Sequence, residues 1–312
     1  MRPHEREERL DWAMATVLEP VPSDRLDEEI IAAGRALFDE LKQSVAEGRF
    51  PRAEMIVTER LSLAAERLPV AEWGDVVREC ASRLYQGECY DLAALLNAEA
   101  SLGHCRAQSY GDALEFAERA IRLAGRSDDE AARALALQSH SACLTSIGDY
   151  PEARRTLDAV EVPSERPDIL FLQALLEARL EAVTLSEGYL ESAQTAFRVA
   201  HRFGLKPSRC STAAILLAGA LSREADHARS AMHLVPGLEY LLRNRFERLL
   251  APFSTVAFEA MRRQVALPSL SELREPLEAF IGNSVAGFPT EEDRAALLLA
   301  LRAPAVGPRQ QG

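Results

Sequence analysis

Along most of this chain, apolar and small residues return every three or four positions, the spacing that places them on one face of an α-helix. Ala113, Ala117 and Ala120 make one such row, Ala153, Leu157 and Val160 a second, and Ala193, Phe197 and Ala200 a third. The periodicity predicts helices over 4–19, 26–47, 50–67, 72–86, 89–107, 110–124, 129–147, 150–160, 167–187 and 189–203. Beyond these it predicts helices over Ser211–Arg223, Gly237–Leu250, Thr255–Ala266, Leu270–Ile281 and Glu291–Leu301. Asp129 and Asp168 suit helix amino termini, where a negative charge meets the unpaired N–H groups. Short polar loops such as Gly125–Asp129 and Pro163–Pro167 separate the rods, and Pro207, Pro236, Pro252, Pro268 and Pro289 fall between the later ones.

A cassette recurs within this pattern. Gly48-Arg-Phe-Pro-Arg-Ala53, Gly148-Asp-Tyr-Pro-Glu-Ala153 and Gly188-Tyr-Leu-Glu-Ser-Ala193 share a glycine, a bulky residue two places on and an alanine three beyond that. Tyr90 to Ala93 and Tyr110 to Ala113 repeat it without the glycine. The alanines fall forty residues apart, except for one step of twenty between Ala93 and Ala113, which leaves one helix of 72–124 without an evident mate. Glycine in a left-handed conformation closes one helix, the bulky side chain fills the turn, and alanine lets the next helix approach closely. The unit is therefore two helices, and the chain reads as all-α.

The cassette resembles the second helix of tetratricopeptide repeats over residues 26–203, with a unit of forty residues in place of about 34. The first-helix tryptophan and Leu-Gly pair of that family are missing. Longer units of this kind look like those in the sensor region of large LuxR-type activators related to the maltose regulator. Phe288 to Arg302 is similar to the opening helix of the LuxR-type DNA-binding domain, although only Ala303 to Gly312 follow, too few for a recognition helix. The resemblance implies a right-handed superhelical stack of antiparallel hairpins over 26–205, with an N-terminal cap at 1–25, further helices over 206–303 and a disordered tail at 304–312. It also implies a concave groove lined by first helices. Carrying over the family's groove positions, fifteen and eleven residues before each cassette alanine, selects Phe38 and Lys42, Arg78 and Ser82, Gln138 and Ala142, and Ala178 with Ala182. Their neighbours Asp39, Glu79, Ser139 and Arg179 join the set. Arg78, Gln138 and Arg179 are the strongest of these, because a long polar side chain on a concave wall offers hydrogen bonds while its stem packs.

Composition narrows the function. The 312 residues are 47% hydrophobic, 27% charged and only 6% aromatic, which fits helices better than sheets. No window approaches the length of a membrane span, the first residues are charged, and five scattered cysteines do not form a disulfide framework, so a cytoplasmic location is expected. The net charge of −12 opposes general nucleic-acid binding. Between Arg198 and Arg263, however, eleven basic residues face five acidic ones, and Arg243, Arg245, Arg248, Arg262 and Arg263 form a candidate basic patch for an acidic partner or a nucleic acid. Solvated arginines with no dedicated partner are the alternative.

No Gly-rich phosphate loop, His-Glu-x-x-His or Cys-x-x-Cys occurs, and neither His140 with Cys143 nor His104 with Cys105 makes up the four ligands of structural zinc. The expectation is a protein without enzymatic activity, metal or cofactor. It acts as an adaptor or regulatory scaffold that holds a protein or peptide segment in its groove. The alternatives are a ligand- or peptide-sensing module of a transcriptional regulator without its own DNA reader, and a nucleic-acid-associated protein using residues 198–263. The C-terminal helices are a candidate homodimer surface or end cap.

Overall fold

The computed structural model describes residues 26–58, 70, 73–163, 165–243, 254–264, 273–283 and 291–302. Among the described residues there are helices and turns and no strand. The helices are α1 (Leu26–Ala46), α2 (Phe50–Ile56), α3 (Gly74–Gln86), α4 (Tyr90–Arg106), α5 (Tyr110–Ala124), α6 (Glu130–Ile147) and α7 (Tyr150–Asp158). They continue as α8 (Pro167–Thr184), α9 (Tyr189–Arg202), α10 (Pro207–Arg223), α11 (His227–Arg243), α12 (Ser254–Gln264), α13 (Arg274–Asn283) and α14 (Glu291–Arg302). The expected ends of α1 and of α3 to α9 agree with these to within three residues. The helix expected over 4–19 and the tail at 304–312 lie outside the described residues. None of the described helices is long and apolar enough to cross a membrane.

One turn is used repeatedly. Gly48, Glu88, Gln108, Gly148, Leu185, Gly204 and Ala225 all adopt positive φ at the end of a helix. The next residue's N–H returns to the carbonyl five residues back, as from Arg49 to Ser44 at 2.8 Å, from Cys89 to Leu84 at 3.0 Å and from Asp149 to Leu144 at 3.0 Å. This satisfies carbonyls that the helix end would otherwise leave unpaired. The cassettes without glycine therefore make the same turn, with Glu88 and Gln108 in the strained position. Gly188 differs from expectation: its φ is −71°, and α8 is closed by Leu185 instead. A Cβ at 188 would meet the Glu181 carboxylate at 2.9 Å, the far end of a flexible side chain that can move aside.

Helix starts follow simple chemistry. Asp129 caps α6 by accepting from the N–H groups of Ala131 and Ala132 at 2.8 and 3.3 Å. Pro207 occupies the first turn of α10, where its missing N–H costs nothing. Pro236, expected between helices, lies inside α11. It is exposed, as is Met232, whose carbonyl loses its donor, so water can replace the missing bond.

From α3 to α11 the helices alternate in burial. The odd-numbered ones, α3, α5, α7, α9 and α11, each keep a solvent face. The even-numbered α4, α6, α8 and α10 are enclosed: α4 has no exposed residue from Leu92 to Arg106, and α10 none from Ser208 to Arg223. Their small residues make this possible, and the cassette alanines Ala53, Ala93, Ala113, Ala153 and Ala193 are all fully buried.

The chain divides into two compact units, Met1–Gln173 and Ala174–Gly312, with the division inside α8. In the first, α1 packs on α2 and α3, α4 on α3, α5 and α6, and α6 on α5 and α7. In the second, α10 packs on α9, α11 and α12, while α13 packs on α11 and α14. α4 and α6 run the same way, as do α10 and α12, because the contacts within each pair advance in step. Ser101 meets Cys143 at 3.1 Å and Cys105 meets Ser146 at 3.0 Å between α4 and α6. Between α10 and α12, Gly219 faces Val256 and Arg223 pairs with Glu259 at 2.9 Å.

Candidate functional site

The outer helices α3 and α5 lie side by side and frame a groove. Helical spacing puts Arg78, Ser82 and Tyr85 on one face of α3, and Asp112, Phe116, Arg119 and Leu123 on one face of α5. At one end Arg78 pairs with Asp112 at 2.7 Å, and its guanidinium covers the Phe116 ring at 5.0 Å. Ser109 donates to the other Asp112 oxygen at 2.7 Å. The Ser109 hydroxyl, together with Arg78, holds the Asp112 carboxyl below the usual carboxylate range. At the opposite end the groove opens into a cleft of about 640 Å³ lined by Ser82, Tyr85, Arg119, Arg122, Leu123 and Arg126. Arg126 donates weakly to the Tyr85 hydroxyl at 3.4 Å and lies over the rings of Tyr85 and Tyr90 at 5.8 and 5.3 Å.

Behind the Arg78–Asp112 pair is an aromatic interior. Trp73 stacks near Phe38 with centroids 6.2 Å apart, and His104 meets Trp73 edge-on at 5.3 Å and stacks on Phe116 at 5.1 Å. Neither ring nitrogen of His104 has a hydrogen-bond partner, and Nδ1 stands 3.8 Å from Asp112. Burial pushes the His104 pKa down, against the opposing pull of Asp112. Serine, histidine and aspartate thus meet here without the order a nucleophile needs, because Ser109 bonds to the carboxylate and not to the imidazole.

The residues nominated from sequence separate into two groups. Asp39, Lys42, Arg78, Glu79 and Ser82 lie at the surface of α1 and α3, fully or in part. There Lys42 pairs with Glu79 at 2.6 Å and Arg83 with Glu79 at 2.8 Å, and the Lys42 contact foremost lowers the Glu79 pKa. Phe38, Gln138, Ser139 and Arg179 are interior, Arg179 being 7% exposed, as are Ala142, Ala178 and Ala182. These do not form a wall. Gln138 is a structural tie, its amide donating to the Ile169 carbonyl at 3.0 Å and to Gln173 at 3.2 Å. Ser139 donates to Ala136 within its own helix at 2.9 Å.

Phe38 faces inward from α1 onto Trp73, whereas for Gln138, Ser139 and Arg179 the physical reason is the step of twenty residues, which inserts one helix and not two. Helices preceding a cassette are outer before the step, as α1 and α3, and enclosed after it, as α6 and α8. The residues that line the cleft from α5 and from the turn after it were therefore missed. Their trace in the sequence is arginine at 119, 122 and 126, at helical spacing.

In the second unit a shallower cleft of about 380 Å³ is bordered by Phe197, His201, Cys210, Met232, His233 and Tyr240. Phe197 lies tilted against His201 at 4.2 Å and edge-on to His233 at 4.9 Å. Of the basic patch, Arg243 is exposed and pairs with Glu239 at 2.8 Å, and Arg262 is exposed. Arg245 and Arg248 lie outside the described residues, as does the side chain of Arg263. Among the described residues no group of three or more His, Cys, Asp or Glu is placed to hold a metal ion. The Cys105 thiol faces Ala142 and Ser146, and that of Cys143 faces Ser101.

Comparison with protein-family models and with curated proteins finds no match for this chain.

Proposed function

We propose that this chain is a cytoplasmic, non-enzymatic scaffold that binds a protein or peptide segment. Its helices form a tetratricopeptide-like solenoid of antiparallel pairs. The alternation of enclosed and solvent-faced helices, the recurrent left-handed turn and the in-step contacts between helices two apart all support that architecture. The observation that carries the functional reading is the groove between α3 and α5, which is preformed and lined by long side chains already held by neighbours.

The test is selection of random peptides displayed on phage against the immobilised full chain. Enriched peptides should bind with micromolar affinity, compete with one another, and lose binding to Ser82→Trp, which fills the groove while circular dichroism stays unchanged. No enrichment over an unrelated helical protein, or enrichment indifferent to Ser82→Trp, removes this function.

A further inference from the structure

Among the described residues, the cleft at the open end of the α3–α5 groove is lined by three arginines and no carboxylate. Among the described residues Arg119 and Arg122 are held only by Glu115 and Glu118, one turn earlier on the same helix, at 2.9 and 3.8 Å. Exposed pairs of this kind are worth a few tenths of a kcal/mol, so an arriving carboxylate exchanges with them at little cost. Arg126 has no carboxylate within ion-pair distance among the described residues. Its guanidinium is held by two tyrosine rings and a hydroxyl. An arginine fixed in this way loses little freedom on binding an anion.

We infer that this cleft recognises an acidic peptide segment, with Arg119 and Arg126 receiving two side-chain carboxylates and an apolar side chain between them resting on Tyr85 and Leu123. This rests on the peptide-scaffold function proposed above. The spacing selects the segment. From Arg119 to the helix end at Ala124 the axis rises about 8 Å, and Arg126 lies in the turn just beyond; an extended chain covers such a span in about three residues, so the preferred pattern is acidic-x-x-acidic. A phosphate polymer fits less well. The chain's net charge of −12 repels a long polyanion that must pass beyond the cleft. Tyr85, though 49% exposed, already carries Tyr90 edge-on at 6.0 Å and the Arg126 guanidinium, which leaves little face for stacking a base.

Fluorescence anisotropy on the full chain decides the matter with three labelled probes: a dodecapeptide with glutamates three apart in a Leu/Ala/Ser background, its glutamine twin, and an oligothymidylate. The acidic peptide should bind about tenfold or more tightly than its twin, with affinity falling as salt rises. Arg119→Glu/Arg126→Glu should lose it, whereas Arg133→Glu/Arg155→Glu, an equal charge change elsewhere, should retain it. The proposal is overturned if no probe binds, if the two peptides bind alike, or if the cleft variant binds as the wild type does. Oligothymidylate binding as tight as the acidic peptide's, and lost in the same variant, also overturns it. Peptides from the display selection that lack acidic bias and bind the cleft variant normally would sink this inference and leave the scaffold function standing.

Discussion

The Tyr189 hydroxyl donates to the backbone carbonyl of Leu216 at 2.8 Å from an almost fully buried position. The same hydroxyl is what a Cβ on Gly219 would strike, at 2.7 Å, together with Val256 Cγ1 at 2.2 Å. Glycine at 219 is therefore the condition for α9, α10 and α12 to meet.

Tyr189→Phe should cost about 1 kcal/mol, because the carbonyl also serves its own helix, while Gly219→Ala should cost about 1–3 kcal/mol through overpacking. Urea denaturation ranks the two. Burial also pushes the Tyr189 phenol far above its usual range. The unfolded chain releases that proton first, so stability should fall as pH rises past about 10. In a spectrophotometric titration one tyrosine should ionise only as the fold is lost.

The left-handed turns give a second prediction. Glu88, Leu185 and Ala225 hold positive φ with an exposed side chain. Replacing each by glycine should stabilise by about 0.5–1 kcal/mol, the relief of left-handed strain less glycine's added chain entropy. At Gly148, where φ is +89° and nothing lies within 4 Å of a Cβ, alanine should destabilise by about 1 kcal/mol for conformational reasons alone. Melting temperatures moving in the same direction in both series would contradict this account.

A pH response follows from the histidines. Burial lowers the pKa of His104, His140 and His233 below the ordinary 6.5. Between 6.5 and each folded value the unfolded chain binds the extra proton, so stability should decline as pH drops below about 6.5 and then level off. His104→Phe should remove its share of that slope. It should also raise stability at every pH by about 1 kcal/mol, since it deletes two buried nitrogens without partners. Urea midpoints taken from about pH 7.5 to 5 supply the comparison.

The Arg78–Asp112 pair is about 40% exposed on both sides. A double-mutant cycle to alanine should therefore give a coupling of only about 0.5–1 kcal/mol, shrinking in high salt. A coupling of several kcal/mol would mean the pair is buried in solution.

Much of this fold was legible in the sequence because it depends on local signals. Alanine notches, aspartate caps and period-3.6 rows placed the rods, and Ala113, Ala153 and Ala193 proved fully enclosed. Which face of a rod meets solvent was harder to read. The helix carrying Gln138 and Ser139 has small or apolar residues nearly all round, so its side chains carry no mark of inside or outside. Family spacing assigned Gln138 to a groove, whereas the hydrogen bonds to Ile169 and Gln173 make it internal. Glu88 and Gln108 likewise gave no sign of a left-handed turn, a role that glycine alone advertises.

The alternation of enclosed and exposed helices has a bearing on how such a chain can be rearranged over evolutionary time. Gaining or losing a pair leaves every downstream surface outward. Gaining or losing a single rod of about twenty residues exchanges enclosed helices for exposed ones from that point on, even though no downstream codon has changed.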